Sequence, residues 1–153
     1  MFRIIPEGMS YQENVLLKNG QGLFLKPATN KDTARVKDFM SRLSKETLRM
    51  RFMASISQVS DKVINDLCCG DFKDTGCLLA AVGEHNDSRV VGLANYISMG
   101  NNRTAEVAFL VEDSFQGLGI STLLLERLAG IAAANSIIEF EAEVLPENQQ
   151  MLN

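Results

Sequence analysis

The 153-residue sequence has no apolar run near the roughly 18 residues that a membrane-spanning helix needs. Its opening, MFRIIPEGMSYQEN, lacks the apolar core of a secretory signal, so a cytoplasmic protein is expected. It is poor in metal ligands. Three cysteines (Cys68, Cys69 and Cys77) form no CxxC pair, and His85 is the single histidine. That pattern argues against zinc and for free, reduced thiols, so no metal is expected. There is no basic excess either: 15 Lys and Arg stand against 19 Asp and Glu, a net charge of -4. Broad nucleic-acid binding needs a dominant basic face, which this balance excludes. No repeat and no low-complexity tract interrupts the chain. What is present is one domain's worth of residues, 1–153, of which 46% are apolar, enough for a packed core.

The apolar pattern changes period along the chain. Val15–Lys18 and Gly22–Lys26 flank Asn19-Gly20, a dipeptide that tolerates the positive φ of a hairpin turn. Pro27 ends the second strand because it cannot donate to a ladder. Asn30 reads as the N-cap of a helix carrying Ala34, Val36, Phe39, Met40 and Leu43. Ser44 opens a second helix through Leu48, Arg51 and Phe52, and Ser60 a third with Val63, Ile64 and Leu67 on one face. Strands follow at 77–82, 89–98 and 103–111, with Gly92 a bulge candidate in the middle one. A helix over 118–134 then leads to a strand at 137–144, and Pro146 opens a last helix. This order predicts a mixed α/β domain whose sheet is mostly antiparallel, with the 118–134 helix crossing between two parallel strands.

The segment with the most chemistry is Gln116–Thr122, QGLGIST, where a strand passes into a helix. Two glycines one residue apart let backbone amides approach an anion with no Cβ in the way. The first amides of the helix lack intrahelical partners, and its dipole favours negative charge. Ser121 and Thr122 add hydroxyls. The spacing alone is equally that of a tight strand-to-helix turn. No Gly-Lys-Ser/Thr follows, so this is not a P-loop, and the third glycine of the dinucleotide fingerprint is absent.

These residues resemble the Gln/Arg-x-x-Gly-x-Gly/Ala signature of the GNAT superfamily of acyl-CoA N-acyltransferases, with Ser121 in the last position. The flanking strand AEVAFLVED, the apolar helix and the later VLPEN with Met151 match in the same order. Arg42-Leu43-Ser44 with Leu48, Arg51 and Phe52 is similar to the bacterial protein-lysine acetyltransferase branch. The resemblance implies a GNAT-type sheet flanked by helices, with acetyl-CoA as co-substrate. The CoA pyrophosphate would sit on Gln116, Gly117, Leu118, Gly119, Ile120, Ser121 and Thr122. The pantetheine arm would run along Phe109, Leu110 and Val111, held also by Asn148. Glu106 matches the branch's general base. Its apolar neighbours imply a desolvated carboxyl with a raised pKa. The same residue also suits the outward position of an alternating strand, and Asn148 suits a helix cap.

Other polar residues have plainer readings. Arg49 and Arg51 fit a solvated helix face, or contacts to an acidic substrate patch or to CoA phosphates. Glu112 and Asp113 read as loop-capping charges, His85 as an exposed turn residue, and Cys68-Cys69 as core. The chain ends at Asn153, where the resemblance calls for two further strands and often a tyrosine acid. Tyr11 and Tyr96 do not match that tyrosine by position. A truncated chain, a naturally short one and one completed by a partner all fit. An open sheet edge invites a homodimer. The acceptor is expected to be a protein lysine, with a small amine or a non-catalytic CoA-binding module as alternatives, and neither nucleic acid nor membrane as partner.

Overall fold

Asn19-Gly20 does turn the chain, but within a three-residue loop. Leu17 N–H donates to the Gln21 carbonyl at 2.9 Å, and only Gly20 takes a positive φ, +87°. This is the hairpin geometry that places glycine last in the loop. The first strand therefore ends earlier than expected, at Leu16, because Leu17 closes the loop and Lys18 lies in it. The computed structural model describes residues 12–43, 61–70, 72, 74–83, 87–100, 103–135, 137 and 139–141. The expected helix from Ser44, Arg49, Arg51, His85, Tyr11, Asn148 and the helix from Pro146 lie outside them.

Among the described residues six strands form one sheet in chain order: β1 (Glu13–Leu16), β2 (Gly22–Pro27), β3 (Thr75–Val82), β4 (Arg89–Ser98), β5 (Thr104–Val111) and β6 (Glu139–Glu141). All neighbours are antiparallel except β5 and β6, which run parallel in the register Thr104↔Glu139 to Glu106↔Glu141. The expected mixed sheet is therefore observed, and the helix between those two strands makes the crossover that a parallel pair requires.

Among the described residues, three helices cover the sheet. α1 (Thr33–Arg42) and α2 (Asp61–Cys68) lie on one face, and α3 (Ile120–Ala134) on the other. The cap before α1 is Thr29 rather than Asn30. Thr29 Oγ1 accepts from Lys31 N–H and Asp32 Oδ2 accepts from Thr29 N–H, a reciprocal capping box that begins a 3-10 turn. Val36, Phe39 and Met40 of α1 bury against Leu79, Leu93 and Leu110 of the sheet. On the other face Ile120, Leu124, Leu128 and Ile131 pack on Leu78, Ala94, Tyr96 and Val107. Each fully buried side chain of this size contributes about 1.5–3 kcal/mol.

The bulge expected near Gly92 is present. Ala80 pairs with Gly92 and Ala81 with Val90, leaving Val91 as the extra residue. A Cβ on Gly92 would lie 3.0 Å from Ile120 Cγ2 and 3.3 Å from Leu124 Cδ1. Glycine there lets the first turn of α3 settle onto β4, which fixes the depth of the loop leading into that helix.

Candidate functional site

The loop from β5 to α3 begins with a 3-10 turn, Asp113–Phe115, and reaches the helix through two left-handed glycines. Gly117 has φ +84° and Gly119, the N-cap of α3, has φ +86°. The helix starts at Ile120, two residues later than expected, so Leu118 belongs to the loop. Ile120 is buried and anchors the first turn, while Gly117, Gly119 and Thr122 are exposed. No side chain caps the helix, and its first intrahelical bond is Leu123 N–H to Gly119 O at 3.1 Å. The amides of Ile120, Ser121 and Thr122 thus precede the ladder and face the loop opening. A Cβ on Gly117 would meet nothing within 4 Å, so the space beside this glycine is open. Gln116 behaves differently from its neighbours. Its Nε2 donates back to the Val111 carbonyl at 3.2 Å, bracing the turn rather than pointing a donor at a ligand.

Glu112 secures the strand end from which this loop springs. It is 5% exposed and receives Arg42 Nε at 2.9 Å, Arg89 Nη2 at 2.5 Å and Ser114 Oγ at 2.8 Å. Arg42 also reaches the Val90 carbonyl at 2.6 Å, so the end of α1, the start of β4 and the end of β5 are tied through one carboxylate. Burial by itself raises the pKa of Glu112, but the hydrogen bonds from Arg89, Ser114 and Arg42 outweigh it and hold the carboxyl below its ordinary range. Glu112 stands at the N-cap of the 3-10 turn, but its side chain makes no cap bond there, so the expected loop-capping role gives way to a longer-range tie. A carboxyl depressed in the folded state contributes stability that is fully present above its unfolded pKa, about 4.3, and lost as pH falls through the folded value. Glu112→Gln is expected to cost about 2 kcal/mol at pH 7, since both arginines keep some solvent contact. The gap to the parent should shrink below about pH 4, read from urea melts at pH 3–7. A gap constant with pH would show that Glu112 acts through packing alone.

Of the remaining expected site residues, Leu110 and Val111 are core side chains, 1% and 3% exposed, and Phe109 is partly buried. Leu110 and Val111 therefore offer a ligand only their backbone. β4 takes one edge of β5 as far as Val111, whereas among the described residues β6 pairs only with Thr104–Glu106 on the other. Glu106 is exposed, which corrects the expected desolvation. Its apolar neighbours Ala105 and Val107 point toward α3, while Glu106 lies on the opposite face, opposite Ile97 and level with Glu141.

Tyr96 is fully buried and donates its hydroxyl to the Phe72 carbonyl at 2.7 Å, a structural bond remote from any acid role. None of the three cysteines is in a disulfide. Cys68 and Cys77 are core as expected, but Cys69 is exposed because it follows the last residue of α2. Burial pushes the Cys68 thiol up to about 11, far from a nucleophile's range. Among the described residues no three His, Cys, Asp or Glu side chains gather as a metal site would need. No helix there is long and apolar enough to cross a membrane. A cavity of about 880 Å³ opens on the α1 face over β1–β3, lined by Leu16, Phe24, Lys26, Asp32 and Arg35. None of the expected site residues lines it. Asp32 there is already engaged by Lys26, Thr29 and Arg35.

The arrangement has counterparts in known proteins. Residues 42–153 match the family described as acetyltransferase (GNAT) family. An acetyltransferase of Pseudomonas aeruginosa is 29% identical over 78% of the chain, and acetyltransferase Pat of Mycolicibacterium smegmatis is 30% identical over 90%. The chain spans 64% and 40% of the lengths of these two relatives. The crystal structure of the GNAT domain of S. lividans PAT superposes with a TM-score of 0.84 at 32% identity, covering 92% of this chain and 82% of that one. The diaminobutyrate acetyltransferase of Paenibacillus lautus, solved with its substrate and coenzyme A, shares the fold with a TM-score of 0.61 at 24% identity, over 86% of this chain and 70% of that one. With nearly three quarters of its length matched by the family pattern and the sheet, crossover helix and glycine loop in place, this chain belongs to the acetyltransferase (GNAT) family.

Proposed function

We propose that the protein is an acyl-CoA-dependent N-acetyltransferase that moves an acetyl group from acetyl-CoA to an amine, most fittingly a protein lysine. The observation that carries this reading is the uncapped start of α3 behind two left-handed glycines, a backbone conformation that side chains with a Cβ rarely adopt. The residues fit the cofactor: amides of the Gln116–Thr122 loop would hold the pyrophosphate, and the edge of β5 at Phe109–Val111 not taken by β4 would pair with the pantetheine arm. Asn148 is assigned to the same arm. Acetyl-CoA supplies the activated thioester. Glu106 takes a proton from the acceptor nitrogen, directly or through water, on an exposed face that a large acceptor can reach.

The Arg42-Leu43-Ser44 resemblance and the likeness to the PAT domain support a protein acceptor over a small amine. The cytoplasm suits three thiols outside disulfides. A homodimer through a sheet edge belongs to the same reading, with β1 the edge strand on one side of the described sheet.

The test is calorimetric titration with acetyl-CoA, longer acyl-CoAs and ATP, followed by acetyl transfer to a lysine-bearing protein and to a small diamine. Binding of acetyl-CoA without ATP, with turnover on the protein, is the expected result. ATP binding without acetyl-CoA overturns the reading. CoA binding without turnover on either amine makes the chain a binding module.

A further inference from the structure

The β1–β2 hairpin and the start of α3 lie at the same end of the sheet. β1 ends there, β5 ends there, and the loop leaves from Val111. A second contact fixes how hairpin and helix sit. Arg127, two turns into α3, forms a bidentate pair with Glu13 of β1, Nε to Oε1 at 2.7 Å and Nη2 to Oε2 at 2.8 Å. From that clamp, β1 runs toward the loop end of the sheet and α3 runs away from it, so the turn following β1 lies at the end where α3 begins. Lys18 is the cation in that turn. Its Cε lies 4.0 Å from the position a Cβ would occupy on Gly119.

Lys18 is exposed and forms no ion pair among the described residues. Among the described residues, the cations Arg42 and Arg89 near this end of the sheet are spent on Glu112. The loop amides offer partial positive charge and directed N–H donors, but no full charge to set against a pyrophosphate. A lysine ammonium on a flexible stem is a compact donor that reaches such a group as a point charge. Gly119 keeps the space between the stem and the loop free of a side chain.

The geometry points to Lys18 as a further ligand of the acyl-CoA pyrophosphate, supplied by the β1–β2 hairpin across the loop from the α3 amides. This assignment rests on the proposed acyl-CoA site. The ligand comes from that reading, and the position of Lys18 adds the charge. Nothing in the sequence pairs residue 18 with residue 119. Only the fold brings them together.

The experiment compares the parent chain, Lys18→Gln and Lys18→Arg by titration with CoA, dephospho-CoA and pantetheine. Lys18→Gln is expected to weaken CoA and dephospho-CoA equally, about five- to tenfold at low salt, because both carry the pyrophosphate. Lys18→Arg should keep most of the affinity, and raising the salt to about 0.5 M should narrow the gap between parent and Gln variant. Pantetheine, which lacks the pyrophosphate and the 3′-phosphate, should bind all three alike. Unchanged CoA affinity in Lys18→Gln overturns the assignment, as does a loss seen with CoA but not dephospho-CoA, which would place Lys18 on the 3′-phosphate. A parent chain that binds no CoA overturns the proposed function itself, and this assignment with it. Equal melting temperatures of the unliganded proteins separate a binding loss from a folding loss.

Discussion

Glu106→Gln is expected to lower kcat/KM for acetyl transfer by about 10²–10³-fold at pH 7 while leaving CoA affinity unchanged. The acceptor sets the size of the effect. A lysine amine has a pKa of about 10.4, so only about one in two thousand is neutral at pH 7, and only the neutral form attacks a thioester. A carboxylate at the acceptor nitrogen recovers part of that deficit by taking the proton as the bond forms. Glutamine keeps the shape and removes the proton acceptor. The variant's rate should therefore climb with pH toward the amine's own pKa, and the gap to the parent should close there. The side chain's position makes the measurement clean. Glu106 is exposed on β5, opposite Ile97, with core packing left to its neighbours Ala105 and Val107. Loss of the carboxylate should then not disturb the fold. A rate unchanged across pH 6–9 sinks the base role and turns attention to Glu141, level with Glu106 on the neighbouring strand.

Much of the architecture was legible because the strongest signals were local. CLLAAV and RVVGLANYIS have the continuous apolar content of strands covered on both faces, and both are buried as strands between helix layers. The crossover followed from a long apolar helix set between strand-like runs, and β5 and β6 are indeed parallel. What failed locally failed by a residue or two. Thr29 rather than Asn30 makes the cap, and it caps the 3-10 turn that leads into α1, because the acid three residues on is Asp32, which completes a box only with Thr29. Leu118 has a helix former's side chain but sits between two glycines held at positive φ, so the helix waits until Ile120.

The candidate site was legible only where its parts are consecutive. The glycine loop showed itself because its chemistry occupies seven residues in a row. The Glu112 cluster joins residues 70 and 23 positions apart, and no window along the sequence contains it. Reading Glu106 as desolvated was a mistake of periodicity. Apolar neighbours along a strand point to the opposite face, so Ala105 and Val107 bury the far side of β5 and leave the carboxylate in the open.

Gly117→Val is expected to weaken CoA binding about a hundredfold. Gly117 sits at φ +84°, where a β-branched residue is strained by about 1–3 kcal/mol, although the space around it is empty. The chain relieves that strain by rotating the peptide, and the neighbouring amides then turn away from the anion. Two hydrogen bonds to a charged group, at about 1.5 kcal/mol each, give the hundredfold. Gly100 provides the control. It has φ +90°, also with nothing within 4 Å, but it lies in the β4–β5 turn at the other end of the sheet from the loop. Gly100→Val should lower the melting temperature by a similar amount and leave CoA affinity alone. Gly119 is the less clean test because Lys18 is its neighbour. If Gly117→Val binds CoA like the parent, or if both variants lose affinity alike, the loop is a turn and the anion sits elsewhere.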